Sequence, residues 1–218
     1  MTACQNKETS DSASTNGDAE PLPVELNVEC QLVESDYGPA GTVEIQTQIF
    51  AQGLFIPWGI AFLPDGDLLV TERDGLLRRV RSDGSLVEEP LAIIDIGSSD
   101  EGGLLGITLD PSFSENRSFF MYVTRAEGGV QNKVERWTLS EDGASAAFDS
   151  IVIDEIPAGL YHNGGRLRIG PDGMLYITTG DARNPALSRD LNSPAGKVLR
   201  FNPDGSIPSD NPNPESPV

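Results

Sequence analysis

The chain has 218 residues, 34 Asp and Glu against 15 Lys and Arg, a formal net charge of −19 and one histidine. A surface this acidic repels phosphate backbones, which argues against a nucleic-acid partner, and it suits a saline or extracellular setting where salt screens the self-repulsion. No apolar run is long enough to cross a bilayer. Two cysteines, Cys4 and Cys30, do not make a disulfide framework and, with one histidine, are poor material for tetrahedral zinc.

Met1 to Gln5 reads MTACQ, which resembles the end of a bacterial lipoprotein signal, where small residues precede a cysteine that becomes lipidated. On that reading Cys4 is a candidate lipidation site and a point of membrane attachment, although the hydrophobic part that should come before it is absent. The following stretch up to Pro23 is polar and nearly free of apolar side chains. It cannot repay its ordering entropy by burial, so residues 1–23 are expected to form a disordered linker or tether. The folded domain is then expected over residues 24–218.

From Thr42 the strand signal is steady. Val43, Ile45, Thr47 and Ile49 alternate with polar residues, which predicts a half-buried strand. Ile60–Leu63 and Leu68–Thr71 predict two strands joined by a turn at Pro64 to Asp67, and Leu76–Val80 a third after Asp74-Gly75. The same grammar recurs with strands at Gly106–Leu109, Phe119–Thr124 and Lys133–Thr138. A third copy begins at Gly165 and ends in Lys197–Phe201. Pro64, Pro111 and Pro171 mark corresponding turns at intervals of 47 and 60 residues, periods that fit propeller blades with insertions in loops. From pattern alone, a generic antiparallel sandwich is the alternative.

Trp58 and Trp137 stand near strand starts and are expected to fill space between sheets rather than stack on a ligand. Glu72 and Arg73 end a strand, where they face a central channel or pair with each other. Asp149, Asp154 and Glu155 are acidic residues near His162 in sequence, without the alternating spacing of an EF-hand loop. Asp204 and Asp210 are candidate calcium ligands by residue type, but DGSIPSDNP reads more simply as turns. Gly102-Gly103 is not a dinucleotide fingerprint, because further strands follow it instead of a helix.

The stretch from Tyr161 to Asp181, YHNGGRLRIGPDGMLYITTGD, contains the one histidine. Arg166–Ile169 predicts a strand with Leu167 and Ile169 on one face and Arg166 and Arg168 on the other. Pro171, Asp172 and Gly173 predict a turn, and Met174–Thr179 the returning strand. Such a hairpin carries the chain back to the end where it began, so His162 and Asp181 share a rim. A carboxylate there could hold an imidazole in one tautomer and orientation, as a general base requires. The bland alternative is that His162 is a polar loop residue.

HNGGRLRIGPDGMLYITTGD resembles the catalytic hairpin of the soluble quinoprotein glucose/sorbosone dehydrogenase family, the aldose sugar dehydrogenases that use pyrroloquinoline quinone (PQQ) and calcium. PWGIAFLPDGDLLVTERDGLLRRV, DEGGLLGITLDPSF and DLNSPAGKVLRFNPDGSIPSDNP resemble the same family in the same order, so the likeness runs from Phe50 to Pro212. It implies an all-β fold, a six-bladed β-propeller, here as an incomplete N-terminal portion of about three blades. It also implies that His162 is the general base, that Asp181 orients it, and that Arg166 belongs to the motif. Glu101 matches a position where the glucose dehydrogenases place a sugar-contacting glutamine, which makes it a substrate-binding candidate and leaves the preferred sugar open.

The implied reaction is oxidation of an aldose at its anomeric carbon, with an external electron acceptor and a periplasmic or extracellular location. The remaining PQQ and calcium ligands are expected beyond residue 218, and this portion is expected to be inactive alone. The alternative is a non-enzymatic propeller that binds partners at the cell surface.

Overall fold

A computed structural model of the chain describes residues 30–31, 42–43, 46–97 and 100–213. The chain divides into two units, Met1–Ile49 and Phe50–Val218. In the first, β1 (Cys30–Gln31) pairs antiparallel with β2 (Thr42–Val43). The strand expected to continue to Ile49 does not: residues 46–50 belong to no strand, and Ile49 is exposed. Alternation forms a strand only where one face is covered, and no burial was available here. The candidate lipidation site Cys4 and the expected linker, 1–23, lie outside the described residues.

The second unit is all-β and antiparallel. Its first sheet runs in chain order through β3 (Pro57–Phe62), β4 (Leu68–Glu72), β5 (Leu76–Val80) and β6 (Ala92–Ile93). The second runs through β7 (Leu104–Leu109), β8 (Ser118–Arg125), β9 (Gln131–Leu139) and β10 (Ala146–Pro157). The third contains β11 (Gly164–Ile169), β12 (Leu175–Thr179) and β13 (Val198–Phe201). Each sheet is a meander, and β7 packs against β3 and β4 on one side and β11 on the other. Successive meanders with neighbouring first strands are the arrangement of propeller blades.

The middle sheet is buried on both faces. Phe119, Met121 and Val123 of β8 pack toward Leu69, Leu77 and Ile94 of the first sheet. Phe120 and Tyr122 pack toward Leu167, Ile177 and Leu199 of the third. This explains why β8 reads as an almost continuous apolar run instead of alternating. Trp137 closes the first of these clusters and Trp58 packs against the second, so both tryptophans fill space between sheets.

The first strands approach one another at glycine. A Cβ on Gly106 would lie 2.0 Å from the Gly165 carbonyl oxygen, and one on Gly59 would lie 2.8 Å from that of Leu105. Thr71 adds a polar stitch, donating to Leu105 O at 2.5 Å while accepting from Gly59 N at 2.9 Å. All three first strands carry a register shift near their start, between Pro57 and Gly59, Leu104 and Ile107, and Gly164 and Leu167. Bulges at strand ends redirect the chain, and here they do so at the rim that holds His162.

Three elements depart from the sequence expectation. Strand β10, for which no strand was expected, carries Asp149, Asp154 and Glu155, and Asp149 lies 3.5 Å from Arg136 on the neighbouring strand. Register shifts after Phe148, Ile151 and Ile153 break the alternation that would have revealed this strand. Short helices α1 (Phe113–Asn116) and α2 (Pro185–Arg189) occupy connections. In α2 the Asn184 side chain accepts from Ala186 N and proline sits in the first turn, both ordinary helix-start chemistry.

Candidate active site

Hairpin β11–β12 brings its two ends together as its sequence predicts. His162 Nδ1 lies 2.9 Å from Asp181 Oδ1. Asp181 is held below the ordinary carboxylate range, chiefly by the hydrogen bond from His162, with the Arg183 amide assisting against the opposing effect of partial burial. An ionised carboxylate only accepts, so Nδ1 is the donor in this contact and Nε2 is left for another partner. The His162 side chain is 62% exposed and that of Asp181 21%. The imidazole is therefore open to a ligand on its free side.

The backbone around this pair is unusual. His162 has φ +64°, and Ala182 and Arg183 are also left-handed. For a residue with a Cβ that conformation costs roughly 1 kcal/mol each, and it persists where surrounding contacts compensate. Ala182 N donates to His162 O at 3.2 Å, and Arg183 N donates to Asp181 Oδ1 at 2.9 Å. Gly180 has no room for a side chain: its Cβ would lie 1.7 Å from His162 O.

Beneath the imidazole a chain of buried polar groups fixes the 159–163 loop. Asn163, 2% exposed, closes the loop by donating to Gly159 O at 2.8 Å and accepting from Gly159 N at 3.1 Å. Tyr122 donates to Asn163 O, Asn132 donates to Asn163 Oδ1, and Thr124 donates to Asn132 Oδ1. Gly103 N completes the series by donating to Thr124 at 3.0 Å. Nothing in the sequence marks these four side chains as part of the site, because a single polar residue in or beside an apolar strand gives no pattern of its own. A buried amide must find partners, and here the partners are two loops of the site.

Glu101 belongs to the same rim. Its Oε2 accepts from the His162 main-chain N–H at 2.7 Å, and its own N–H donates to Leu160 O at 3.2 Å. Arg166 stacks over Trp58 with its guanidinium carbon 4.5 Å from the ring centroid. Glu72 is buried and does not pair with Arg73: it accepts from Phe55 N at 2.6 Å and lies 3.9 Å from Arg78. Asp204 accepts from Ser206 in a turn and Asp210 pairs with Arg200 at 2.7 Å, so the turn reading of that segment holds. Among the described residues no three His, Cys, Asp or Glu side chains form a group that could hold a metal.

An open depression of about 590 Å³ lies beside His162, bounded by Thr178, Gly180, Asp181, Ser188, Gly196 and Lys197. The Lys197 ammonium donates to Leu187 O at 2.8 Å and Ala195 O at 2.9 Å, with no carboxylate among these partners. The arrangement offers a proton acceptor, a wide opening for a planar group and one cation.

The propeller-type sheet order and the oriented imidazole at its rim describe the chain's fold and site, and comparison with known proteins gives the family. Residues 54–217 match the Glucose / Sorbosone dehydrogenase family, and the chain belongs to it. An uncharacterized protein of Synechocystis is 37% identical over 195 residues, spanning 79% of this chain and 47% of its own. The aldose sugar dehydrogenase YliI of Escherichia coli is 29% identical over 178 residues, spanning 79% and 48%. The PQQ-bound aldose sugar dehydrogenase of Streptomyces coelicolor superposes with a TM-score of 0.72 at 40% identity, over 78% of this chain and 52% of that one. This chain thus spans about half the length of the relatives it matches.

Proposed function

We propose that the protein to which this chain belongs oxidises an aldose at its anomeric carbon with PQQ as cofactor. The observation that carries the proposal is the His162–Asp181 contact of 2.9 Å at the open rim, in a chain of a sugar dehydrogenase family. With Nδ1 committed to Asp181, His162 Nε2 is the atom that takes the proton from the anomeric hydroxyl. Asp181 keeps the ring in that tautomer and stabilises the imidazolium that forms. PQQ, when bound, supplies the quinone that accepts the hydride.

The depression beside His162 suits one face of a planar cofactor, because glycine at 180 and 196 keeps the backbone low; a Cβ on Gly196 would meet Ser188 Oγ at 2.2 Å. Among the described residues Lys197 is the one cation lining that depression, and a tricarboxylate such as PQQ needs more. We place those further cations, the calcium ligands and the closing half of a six-bladed ring in the part of the relatives that this chain does not span. The described residues form no ligand group for calcium. A periplasmic or extracellular site, a lipid on Cys4 and an external electron acceptor belong to the same proposal.

The test is dye-coupled oxidation of aldoses by the intact protein with PQQ and calcium added. Turnover that requires both PQQ and His162 supports the reading. An intact protein that neither binds PQQ nor reduces the dye would move the weight to a propeller that binds partners at the cell surface.

A further inference from the structure

We propose that Glu101 is a positioning residue, whose carboxylate holds the His162 main chain in the left-handed conformation that aims the imidazole at Asp181. The inference rests on the reading of His162 as the base, and goes beyond a sugar contact for Glu101. The His162 ring is 62% exposed, so packing does little to confine it. Its direction is set instead by the backbone at φ +64° and by the hydrogen bonds on either side.

Two contacts hold that backbone from above and below. The carbonyl accepts from Ala182 N at 3.2 Å, within the hairpin. The N–H donates to Glu101 Oε2 at 2.7 Å, across to the second sheet. This second contact is short and charge-assisted, the stronger type of hydrogen bond. Glu101 is itself anchored, since its N–H donates to Leu160 O and so makes a two-way clamp between residues 101 and 160–162. Gly103 steadies the clamp: its N–H bonds Thr124, and a Cβ there would sit 2.1 Å from Arg73 O, which keeps the segment against β4. The base on the third sheet is thus positioned by a carboxylate from the loop before β7.

His162 is the one histidine of this chain, and in the intact protein labelled with ¹⁵N-histidine its amide and imidazole signals are identified by their loss in His162→Gln. In the wild type we expect a slowly exchanging amide and a ring with its proton on Nδ1. Glu101→Gln retains an acceptor oxygen and keeps both signatures. Glu101→Ala should speed exchange of that amide by about tenfold or more, the loss of one good hydrogen bond, and let the ring average between tautomers while core methyl signals stay in place. In the sugar assay the same variant should lower kcat more than it raises KM. If Glu101→Ala leaves amide exchange and tautomer as in the wild type, or raises KM alone, Glu101 is a substrate contact and the inference fails. Absence of sugar oxidation would count against the proposed function without touching the amide readout, so the two failures are separable.

Discussion

Tyr122 of the second sheet donates a 2.8 Å hydrogen bond to the main-chain carbonyl of Asn163, the residue that follows the candidate base on the way into the third. Burial pushes the phenol well above its ordinary range, which favours the protonated, donating form. The contact ties a core residue of one sheet to the loop that carries the imidazole of the next. Site geometry and inter-sheet packing are therefore one structure. Tyr122→Phe keeps the packed ring and leaves the Asn163 carbonyl with the Gly180 amide, at 3.2 Å, as its remaining partner. It should cost about 1 kcal/mol in urea denaturation, and should speed exchange at the 159–163 amides beyond the global effect.

Replacing His162 by Gln in the intact protein should lower turnover by roughly 10²- to 10⁴-fold, the usual worth of a general base. The melting temperature should hardly move, because the ring is mostly exposed. Asp181→Asn should have a smaller effect, since the imidazole remains while its tautomer and the charge that supports its protonated form are weakened. Wild-type turnover in the histidine variant would end the catalytic reading.

Gly106→Ala tests how closely the first strands approach. The added methyl would meet the Gly165 carbonyl at 2.0 Å, a backbone atom that cannot swing aside, so the two sheets must separate. A loss of about 3 kcal/mol or more is expected, read as a large drop in urea midpoint or in soluble yield. Gly173→Ala is the control for backbone conformation, because its φ is +79° but nothing lies within 4 Å of its Cβ. It should cost only about 1–2 kcal/mol.

Acid should destabilise the fold through specific carboxylates. At Asp67 burial opposes ionisation, but the Ser82 amide and Arg79 outweigh it and hold the group below its ordinary 3.8. Asp181 is lowered chiefly by His162, and Asp210 chiefly by Arg200. A carboxylate whose folded-state pKa is depressed contributes stability that is present above the unfolded value and lost as pH falls through the folded one. Self-repulsion from the charge of −19 acts the other way and fades toward the pI of about 4.2. Urea midpoints should hold or rise slightly from pH 7 to about 5 and fall below about 4. A monotonic rise down to pH 3 would contradict the assignment of these carboxylates.

The sequence by itself determined the family, the inner strands of the three meanders and the hairpin that joins His162 to Asp181. Each of these is local: alternation, a Pro-Asp-Gly turn and a short strand length are enough to return Asp181 to the rim it shares with His162. The role of Glu101 was legible only as a position in a motif. Its contact with His162 N–H joins residues 61 apart in the chain, and no periodicity encodes such a distance. The buried relay of Tyr122, Thr124, Asn132 and Asn163 was decided by the stacking of one sheet on the next, which places the polar groups of one strand against another strand's loop. Strand β10 was hidden because three register shifts erase its alternation. The expected strand through Ile49 did not form because alternation is a tendency to bury one face, and it becomes a strand only where tertiary structure supplies something to cover it.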